Sequence, residues 1–419
     1  MKTIVVIGGG WAGCAAAMQA ARAGGRVFLL EKTDRLLGTG LAGGIMKNNG
    51  RWTVTEEVIE MGGGALFDIL EKAYLHRDLR FPGHDHAALY DVTRIESPIW
   101  KALEDAGVTV LTQSRVKNIK LKKGRIDAVV TDGEEEIPGD VFIETTGSAG
   151  SPSGCKRYGQ GCVMCILRCP VFGARVSLAQ ALLPRPKGRA GVLRGRISGA
   201  CNLLKASLSP RLSQQLSRFG ELVVAAAHEP KAAGAGKKSC PQYEDASYEE
   251  SLIFLDNGHA KLMRPFFPLS ELRRLPGLEN AVYTEPFSGG RGNSIRYLSI
   301  APVDIDLKLN VVQNLFCAGE TIGPLAGHTE AIVTGILAGH NAVLSAKRKK
   351  LFSPSVSTAL GDFVSYVSQR LAGTAASSEV FTFSGAVYFD RMKRLGLYRT
   401  RKEEIAGLIG GLGLRGVLT

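Results

Sequence analysis

Acidic residues are absent from one long stretch of this chain. No Asp or Glu lies between Glu144 and Glu221, whereas twelve lysines and arginines lie within the same stretch, at positions 156–218. The whole chain has a formal net charge of +13, so its remainder is close to neutral. A local basic excess of this kind is typical of a surface that faces an anionic group or partner, and RNA is one candidate.

Long apolar runs are also missing. No uninterrupted apolar segment reaches about 18 residues, which predicts that no helix spans a membrane. The first apolar segment is broken by Gly8, Gly9 and Gly10 and does not have the form of a secretory signal, so we expect a cytoplasmic protein. Aromatic residues make up only 7% of the chain and glycine contributes 51 of its 419 residues. This composition suits an α/β protein with tight turns.

A glycine-rich turn follows the first apolar segment. Residues 3–7 predict a β-strand, and Gly8, Gly10 and Gly13 then give the pattern G-x-G-x-x-G at the start of a helical pattern. In dinucleotide-binding folds the first glycine makes the turn, the second lets the backbone approach a pyrophosphate, and the third lets the helix pack on the strand. The N–H groups at the helix N-terminus attract phosphate. The turn therefore predicts a nucleotide site.

An acid lies where such a site requires one. Residues 26–30 predict the second strand, and Glu31 and Lys32 follow it. A carboxylate about 20 residues after the glycines accepts hydrogen bonds from the adenosine ribose hydroxyls. We therefore place Glu31 and Lys32 in the same nucleotide site as the three glycines.

Two later segments favour FAD over NAD as the nucleotide. The first comprises a predicted strand over 107–113, a hairpin over 116–132 and a further strand over 140–147. Proteins of the two-dinucleotide-fold FAD type return to their first sheet in this way. We therefore predict that Val116 and Gly147 also contact the FAD.

The second segment lies nearer the C-terminus. Residues 314–320 predict a strand that ends in Gly319 and Glu320, and a helix is predicted from Gly327 to residue 346. In the second FAD fingerprint the acid after the glycine contacts the ribitol, and the N-terminus of the next helix faces the pyrophosphate or the flavin ring. Gly319, Glu320 and Gly327 are therefore predicted FAD-binding residues.

Several short motifs together suggest a family. They are R-Y-x-x-I-x-P-x-D at 296–304, N-L-F-C-A-G-E at 314–320, G-H-x-E-A at 327–331, G-x-L-A-G-x-N-A at 335–342, and C-P-x-x-E-D at 240–245 followed by I-F-L at 253–255. With these motifs the chain resembles the GidA family of FAD proteins, which modify tRNA wobble uridines, and the related TrmFO proteins, which methylate tRNA uridine.

The resemblance has consequences for the thiols. It implies that Cys240, in the C-P-x-x-E-D motif, is a redox or nucleophilic residue. Family members carry another functional cysteine shortly after the second strand, whereas residues 37–45 of this chain contain none. The resemblance therefore implies the FAD site, and the RNA reaction is kept as an alternative.

Four of the eight cysteines lie within fifteen residues: Cys155, Cys162, Cys165 and Cys169. Their spacing, with a proline after the last, resembles part of a bacterial ferredoxin loop and predicts a [4Fe–4S] cluster. Zinc is an alternative, although only one C-x2-C pair is present and no histidine lies between His86 and His228. A thiol relay without metal, or plain buried cysteines, are further alternatives, because basic neighbours favour anionic sulfur in every case.

Two residues are candidates for catalysis. Cys240 follows Lys237 and Lys238, which would favour its thiolate. His328 follows Gly327 near the expected flavin edge, where an imidazole could relay a proton. Cys14 and Cys317 lie in predicted core elements and are expected to be structural.

These observations predict an α/β protein: a two-dinucleotide-fold-type FAD (Rossmann-like) domain with an inserted substrate domain and a short helical C-terminal appendix. The predicted boundaries are 1–150 and 286–346 for FAD binding, 151–285 for the insertion and 347–419 for the appendix.

The leading functional prediction is an FAD-dependent oxidoreductase whose [4Fe–4S] cluster passes single electrons to or from the flavin. Its partner would be a small-molecule substrate or an electron carrier. The alternatives are a tRNA uridine-modifying enzyme and an electron-relay flavoprotein subunit of a larger complex. The sequence leaves the oligomeric state open, a homodimer included.

Overall fold

The computed structural model describes residues 1–148, 175–183, 193–197, 201–225, 251–264, 267–284, 295–298, 300–372 and 380–419. Its strands are β1 Thr3–Ile7, β2 Arg26–Leu30, β3 Tyr74–Phe81, β4 His84–Tyr90, β5 Thr109–Leu111, β6 Val116–Lys122, β7 Arg125–Thr131, β8 Glu136–Pro138, β9 Val141–Glu144, β10 Leu193–Ile197, β11 Cys201–Leu203, β12 Glu221–Ala225, β13 Ser251–Asp256, β14 Ala260–Leu262, β15 Ile295–Leu298 and β16 Leu315–Cys317.

The α-helices are α1 Trp11–Arg22, α2 Gly40–Gly43, α3 Gly50–Val58, α4 Ala65–Ala73, α5 Glu96–Asp105, α6 Leu178–Leu182, α7 Pro210–Phe219, α8 Leu269–Leu272, α9 His328–Ala346, α10 Ala359–Ala372, α11 Ala386–Arg394 and α12 Lys402–Gly411. A π-helical turn, Ile59–Gly63, continues α3, and short 3-10 turns occur at Lys205–Ser207 and Gly319–Thr321.

A five-stranded parallel sheet forms the centre of the fold, in the order β16-β9-β1-β2-β5. β1 is its middle strand, and Ile4, Val5 and Val6 are fully buried, as expected for a parallel sheet covered on both faces. This order and direction confirm the predicted α/β class. β1 and β2 also begin and end at the residues that the apolar pattern predicts.

The later strands of the parallel sheet are shorter than predicted. The strand expected over 107–113 covers only Thr109–Leu111, because Gly107 and Gln113 have positive φ values of +80° and +52° that end the extended backbone on both sides. The hairpin predicted over 116–132 is present as β6 and β7, with its turn at Lys123 and Gly124.

Helices α1 and α9 pack together at very short range. A Cβ on Gly335 would lie 2.3 Å from the carbonyl oxygen of Ala12, and one on Gly339 would lie 2.4 Å from the carbonyl oxygen of Ala16. The two glycines of the G-x-L-A-G motif therefore let the α9 backbone rest on that of α1. This contact brings the start of α9 close to the nucleotide turn.

A second sheet is antiparallel, in the order β11-β14-β13-β12. It has its own apolar cluster, in which Leu216 of α7 packs with Leu203, Phe254 and Leu262. A small bridging cluster joins this sheet to the hairpin of β3 and β4: Ile45, Phe81, Ala87, Leu89, Ile253, Leu255 and Met263.

The C-terminal residues are helical, as predicted, and they are also part of the main core. Phe363, Phe383 and Tyr388 pack against one another with ring centroids 4.2–5.5 Å apart, and all three belong to the same apolar cluster as β1. Leu418 is fully buried, and its carbonyl oxygen accepts a hydrogen bond from Gln19 Nε2 at 2.5 Å. Among the described residues, no helix has the length and apolar character needed to cross a membrane.

Candidate functional site

The turn between β1 and α1 depends on two glycines that no larger residue could replace. Gly8 has a φ of +106°, and a Cβ there would lie 2.6 Å from the carbonyl oxygen of Thr145. A Cβ on Gly13 would lie 1.8 Å from the carbonyl oxygen of Gly8. A Cβ on Gly10 would meet no described protein atom within 4 Å. The turn therefore leaves room for a phosphate at Gly10, beside the N–H groups that begin α1.

Glu31 closes this turn from the side. Its carboxylate accepts hydrogen bonds from the Gly9 N–H at 2.7 Å and from the Thr33 N–H and hydroxyl at 2.9 and 3.0 Å. A carboxylate can accept about four hydrogen bonds. The three donors seen in the described part of the chain therefore leave capacity for a ribose hydroxyl, which is the role predicted for Glu31.

Lys32 and Val116 lie beside the turn in different environments. Burial lowers the pKa of the Lys32 amine. The negative charge of Glu31 opposes this shift, whereas the positive charge of Arg175 lowers the pKa further. Val116 is almost fully buried at the start of β6, and its side chain belongs to the main core. Only the backbone of Val116 could therefore contact a nucleotide.

The ends of β9 and β16 lie together at the same edge of the sheet as the turn. Gly147 follows β9 and Gly319 follows β16, with φ values of +66° and +69°. The Ser148 hydroxyl donates a hydrogen bond to the Glu320 carboxylate, which joins the two segments. Because the carboxyl ends of parallel strands share one edge of a sheet, the sequence-predicted residues from four strands converge here.

Two buried ionisable side chains lie close to this edge, and no local sequence motif marks either one as part of the site. Glu144 is fully buried and accepts hydrogen bonds from the Thr146 hydroxyl at 2.9 Å and the Ala179 N–H at 2.7 Å. Burial raises the pKa of its carboxyl. Arg175 is also buried, which lowers its pKa, while the negative charges of Glu144 and Glu320 oppose that shift. Arg175 therefore brings positive charge close to the Glu320 turn.

His328 is the first residue of α9, directly after Gly327, whose φ is +148°. Its Nδ1 lies 3.1 Å from the Tyr90 hydroxyl, and its ring centroid lies 6.4 Å from that of Trp11. Trp11 is the first residue of α1. The predicted flavin helix and the predicted pyrophosphate helix therefore begin side by side.

A buried ion pair holds the start of α9 in place. Arg51 Nε lies 3.1 and 2.9 Å from the two carboxylate oxygens of Glu330, which is fully buried. Glu330 also accepts hydrogen bonds from the Thr382 hydroxyl at 2.7 Å and the Phe383 N–H at 2.8 Å. Arg51 was not predicted, since its partner is 279 residues away in the sequence and no local pattern marks it.

The remaining predicted sulfur sites lie outside the described residues. They are Cys155, Cys162, Cys165, Cys169 and Cys240. Within the described ranges, no group of three or more His, Cys, Asp and Glu side chains could hold a metal ion.

Cys14 and Cys317 are buried, as expected for core residues. Cys201, for which no role was predicted, is buried as well. Burial raises the pKa of the Cys14 and Cys201 thiols to about 12. Burial of this kind disfavours the thiolate, which is the reactive form of cysteine.

The family model for glucose inhibited division protein A matches residues 3–263 and 257–350. A relative from Chlorobium phaeovibrioides, "tRNA uridine 5-carboxymethylaminomethyl modification enzyme MnmG", is 23% identical over 410 residues, which cover 84% of this chain and 63% of the relative. The protein of the same name from Mycoplasmopsis synoviae is 30% identical over 136 residues, covering 28% of this chain and 21% of the relative. The chain thus spans less than two thirds of the length of these relatives.

Solved structures show the same fold. GidA from Aquifex aeolicus, in its form II crystal, superposes with a TM-score of 0.69 at 16% identity, covering all of this chain and 74% of the other. The form I crystal gives a TM-score of 0.63 at 15% identity, covering 98% and 78%. The family match covers more than three quarters of the sequence and includes both halves of the strand-end site. The chain therefore belongs to the glucose inhibited division protein A family.

Proposed function

We propose that this chain binds FAD and acts as an FAD-dependent oxidoreductase that modifies uridine in tRNA. The proposal depends mainly on one observation. This chain belongs to the family, and one edge of its parallel sheet brings together the glycine turn, Glu31 and the Gly319–Glu320 turn. The relatives that span most of this chain are named tRNA uridine-modifying enzymes. Because the chain spans only part of their length, the activity on tRNA is part of the proposal.

The residues at the strand ends fit FAD in shape and in polarity. The open face at Gly10 and the start of α1 would bind the pyrophosphate, and the spare acceptor capacity of Glu31 would bind the adenosine ribose. Glu320 would bind the ribitol hydroxyls, and the start of α9 would approach the flavin ring. Bound FAD supplies hydride or single-electron transfer. The protein would orient the substrate, and His328 would hold or move a proton at its imidazole.

The basic stretch offers one described surface for RNA. Arg175 is buried and Lys205 forms an ion pair with Asp256 at 2.9 Å, so neither is available for phosphate. Arg211 and Arg218 are exposed on α7. Phe219 ends the same helix and is 54% exposed, with the Arg218 guanidinium 5.2 Å from its ring. Exposed arginines beside an aromatic ring suit a backbone phosphate and a stacked base.

Binding of tRNA at two salt concentrations tests the RNA part of the proposal. We expect the double variant Arg211→Ala, Arg218→Ala to bind tRNA more weakly and with a shallower salt dependence, by about one phosphate contact for each arginine removed. Lys101→Ala is the matched control, because Lys101 is an exposed basic residue on α5 that already forms an ion pair with Asp105. Unmeasurable tRNA binding by the unaltered protein at low salt would contradict the RNA proposal.

An iron–sulfur flavoprotein is the second candidate function, and the spacing of Cys155, Cys162, Cys165 and Cys169 is the observation that favours it. In that protein a [4Fe–4S] cluster would exchange single electrons with the flavin. Anaerobic purification followed by iron analysis and electron paramagnetic resonance of the reduced protein tests it. Absence of iron after reconstitution would eliminate this candidate. Cys240 keeps its proposed role as a redox or nucleophilic thiol under either function.

A further inference from the structure

The hydroxyl of Tyr90 is the point where the first residues of three helices meet. Tyr90 ends β4 and is fully buried. Its oxygen lies 3.2 Å from Trp11 Nε1, 2.7 Å from the carbonyl oxygen of Gly40 and 3.1 Å from His328 Nδ1. These three partners begin α1, α2 and α9 respectively. One phenol oxygen therefore joins the predicted pyrophosphate helix to the predicted flavin helix.

The number of protons at this oxygen decides which partner donates. A phenol has one proton to give and two lone pairs with which to accept. The carbonyl oxygen of Gly40 can only accept, so it takes the Tyr90 proton, and Trp11 Nε1–H can only donate. The remaining contact, at His328 Nδ1, must therefore be a donation from the imidazole to the phenol. Burial raises the pKa of Tyr90 far above neutrality, so the phenol keeps its proton.

The Cε1–Nε2 edge of the imidazole packs on the backbone of α2. A Cβ on Gly43 would lie 1.9 Å from His328 Cε1 and 2.5 Å from its Nε2, so only a glycine lets the α2 backbone come this close to the ring. The carbonyl oxygen of Gly43 is itself held by hydrogen bonds from Lys261 Nζ and from Asn257 Nδ2. The ring is therefore held at Nδ1 by the Tyr90 hydroxyl and along Cε1–Nε2 by the α2 backbone.

We propose that Tyr90 is a positioning residue that holds the neutral imidazole of His328 in its Nδ1–H tautomer. Neutral histidine exchanges between two tautomers unless a hydrogen bond selects one. With Nδ1 committed as a donor, Nε2 is the atom that takes up a proton and returns it. The proton transfer at Nε2 rests on the proposed function. The tautomer does not, because it is set by the hydrogen bond to Tyr90 and not by FAD.

Nitrogen NMR of histidine-labelled protein tests the tautomer directly. The protein is used as purified, at about pH 8.5, which is about two units above the pKa of histidine in model peptides. The His328→Gln variant identifies the His328 resonances among those of the seven histidines. We expect Nδ1 to carry the proton and Nε2 to have the shift of an unprotonated nitrogen. An Nε2–H tautomer in the unaltered protein would overturn the inference, whatever the variants do.

Two variants separate positioning from general packing. Tyr90→Phe removes only the hydroxyl, and we expect the His328 Nδ1 and Nε2 shifts to move towards each other as the tautomers mix. Trp11→Phe removes a different donor to the same oxygen and leaves the proton count at His328 unchanged, so its His328 shifts should match those of the unaltered protein. Unchanged shifts in Tyr90→Phe would overturn the inference. A protein that takes up no FAD would overturn the proposed function instead and leave the tautomer result standing.

Discussion

The parallel sheet region and the antiparallel sheet region use their buried charges differently. Around the parallel sheet, Glu57, Glu144 and Glu330 each accept hydrogen bonds from backbone N–H groups of segments packed in the same core. In the antiparallel sheet, Lys261 donates to the carbonyl oxygen of Gly43 in α2, and Asp256 bonds to His76 in β3 at 3.1 Å, so both side chains reach segments outside that sheet.

Some of these buried charges therefore lie at the proposed cofactor site, whereas others join separate parts of the molecule. Glu144 orders the start of α6 beside the strand ends, where the cofactor is proposed to bind. Glu57 and Glu330 tie the C-terminal segments at Ala359 and Phe383 to the same core. Lys261 and Asp256 instead link the antiparallel sheet to α2 and to β3, and the small bridging cluster of apolar side chains joins the same sheet to the β3–β4 hairpin. Lys261 holds Gly43 against the His328 ring, so it connects the antiparallel sheet to the proposed proton-transfer residue.

The largest effects are expected in the glycine turn of the parallel sheet region. Gly13→Ala places a Cβ 1.8 Å from the Gly8 carbonyl oxygen, so we expect a loss of more than about 4 kcal/mol in the free energy of unfolding. Gly10→Ala meets no described protein atom and should keep the apoprotein's stability, while its Cβ blocks the pyrophosphate and weakens FAD binding by at least about 100-fold. Thermal unfolding and flavin titration measure the two effects. Equal FAD affinity in Gly10→Ala and the unaltered protein would contradict this assignment of the turn.

Breaking the Arg51–Glu330 pair should have the next largest effect. Arg51→Ala leaves the Glu330 carboxylate buried without its cation, and we expect a loss of about 3–5 kcal/mol. Lys101→Ala, which breaks an exposed pair on α5, should cost less than about 1 kcal/mol. Urea unfolding of both variants tests the contrast. Similar losses in the two would show that the buried pair does not hold the start of α9.

Lys261, in the antiparallel sheet, should make the free energy of unfolding depend on pH. Burial lowers the pKa of the Lys261 amine to about 7, whereas an unfolded lysine titrates near about 10.4. Between these values the unfolded chain binds more protons, so the lysine's contribution to stability rises with pH. Relative to Lys261→Met, which keeps the volume, the unaltered protein should gain about 1 kcal/mol per pH unit from pH 7 to 10. Urea unfolding at several pH values measures this difference, and a flat difference would refute the assignment.

Glu57, in the core around the parallel sheet, should make stability fall as pH rises, over a narrower pH range than for Lys261. Its carboxylate accepts from the N–H groups of Ala359 and Leu360 at the start of α10, yet burial raises its pKa to about 7. The folded chain then binds more protons than the unfolded one between about pH 4.5 and 7, so stability falls as pH rises. Compared with Glu57→Gln, the unaltered protein should lose about 1 kcal/mol per pH unit in that window. If the stability of the unaltered protein relative to Glu57→Gln rises with pH in this window, the raised pKa of Glu57 is wrong.

Local patterns predicted the parts of the site that depend on neighbouring residues. β1, β2 and the turn that begins α1 follow from an apolar run, three glycines and an acid, all within about 30 residues of one another. The strand-end glycines Gly147 and Gly319 were found in the same way. The converging strand ends then follow from the rule that parallel strands share one carboxyl edge.

Contacts between distant residues were not predictable in this way. Tyr90 is an ordinary residue of a short strand until the fold places its hydroxyl 3.1 Å from His328, which is 238 residues away in sequence. Arg51 and Glu330 are separated by 279 residues, and no spacing rule connects them. The C-terminal helices likewise show amphipathic patterns without indicating that Phe363 and Tyr388 enter the main core.

The flavin content of the purified protein shows whether the strand-end site binds FAD. The protein and its Gly10→Ala variant are purified alike, their visible absorption is recorded, and the cofactor released by denaturation is identified and counted. We expect about one FAD for each chain of the unaltered protein and little or none in folded Gly10→Ala. A folded, colourless protein that takes up no FAD on reconstitution would show that the strand-end site does not bind FAD.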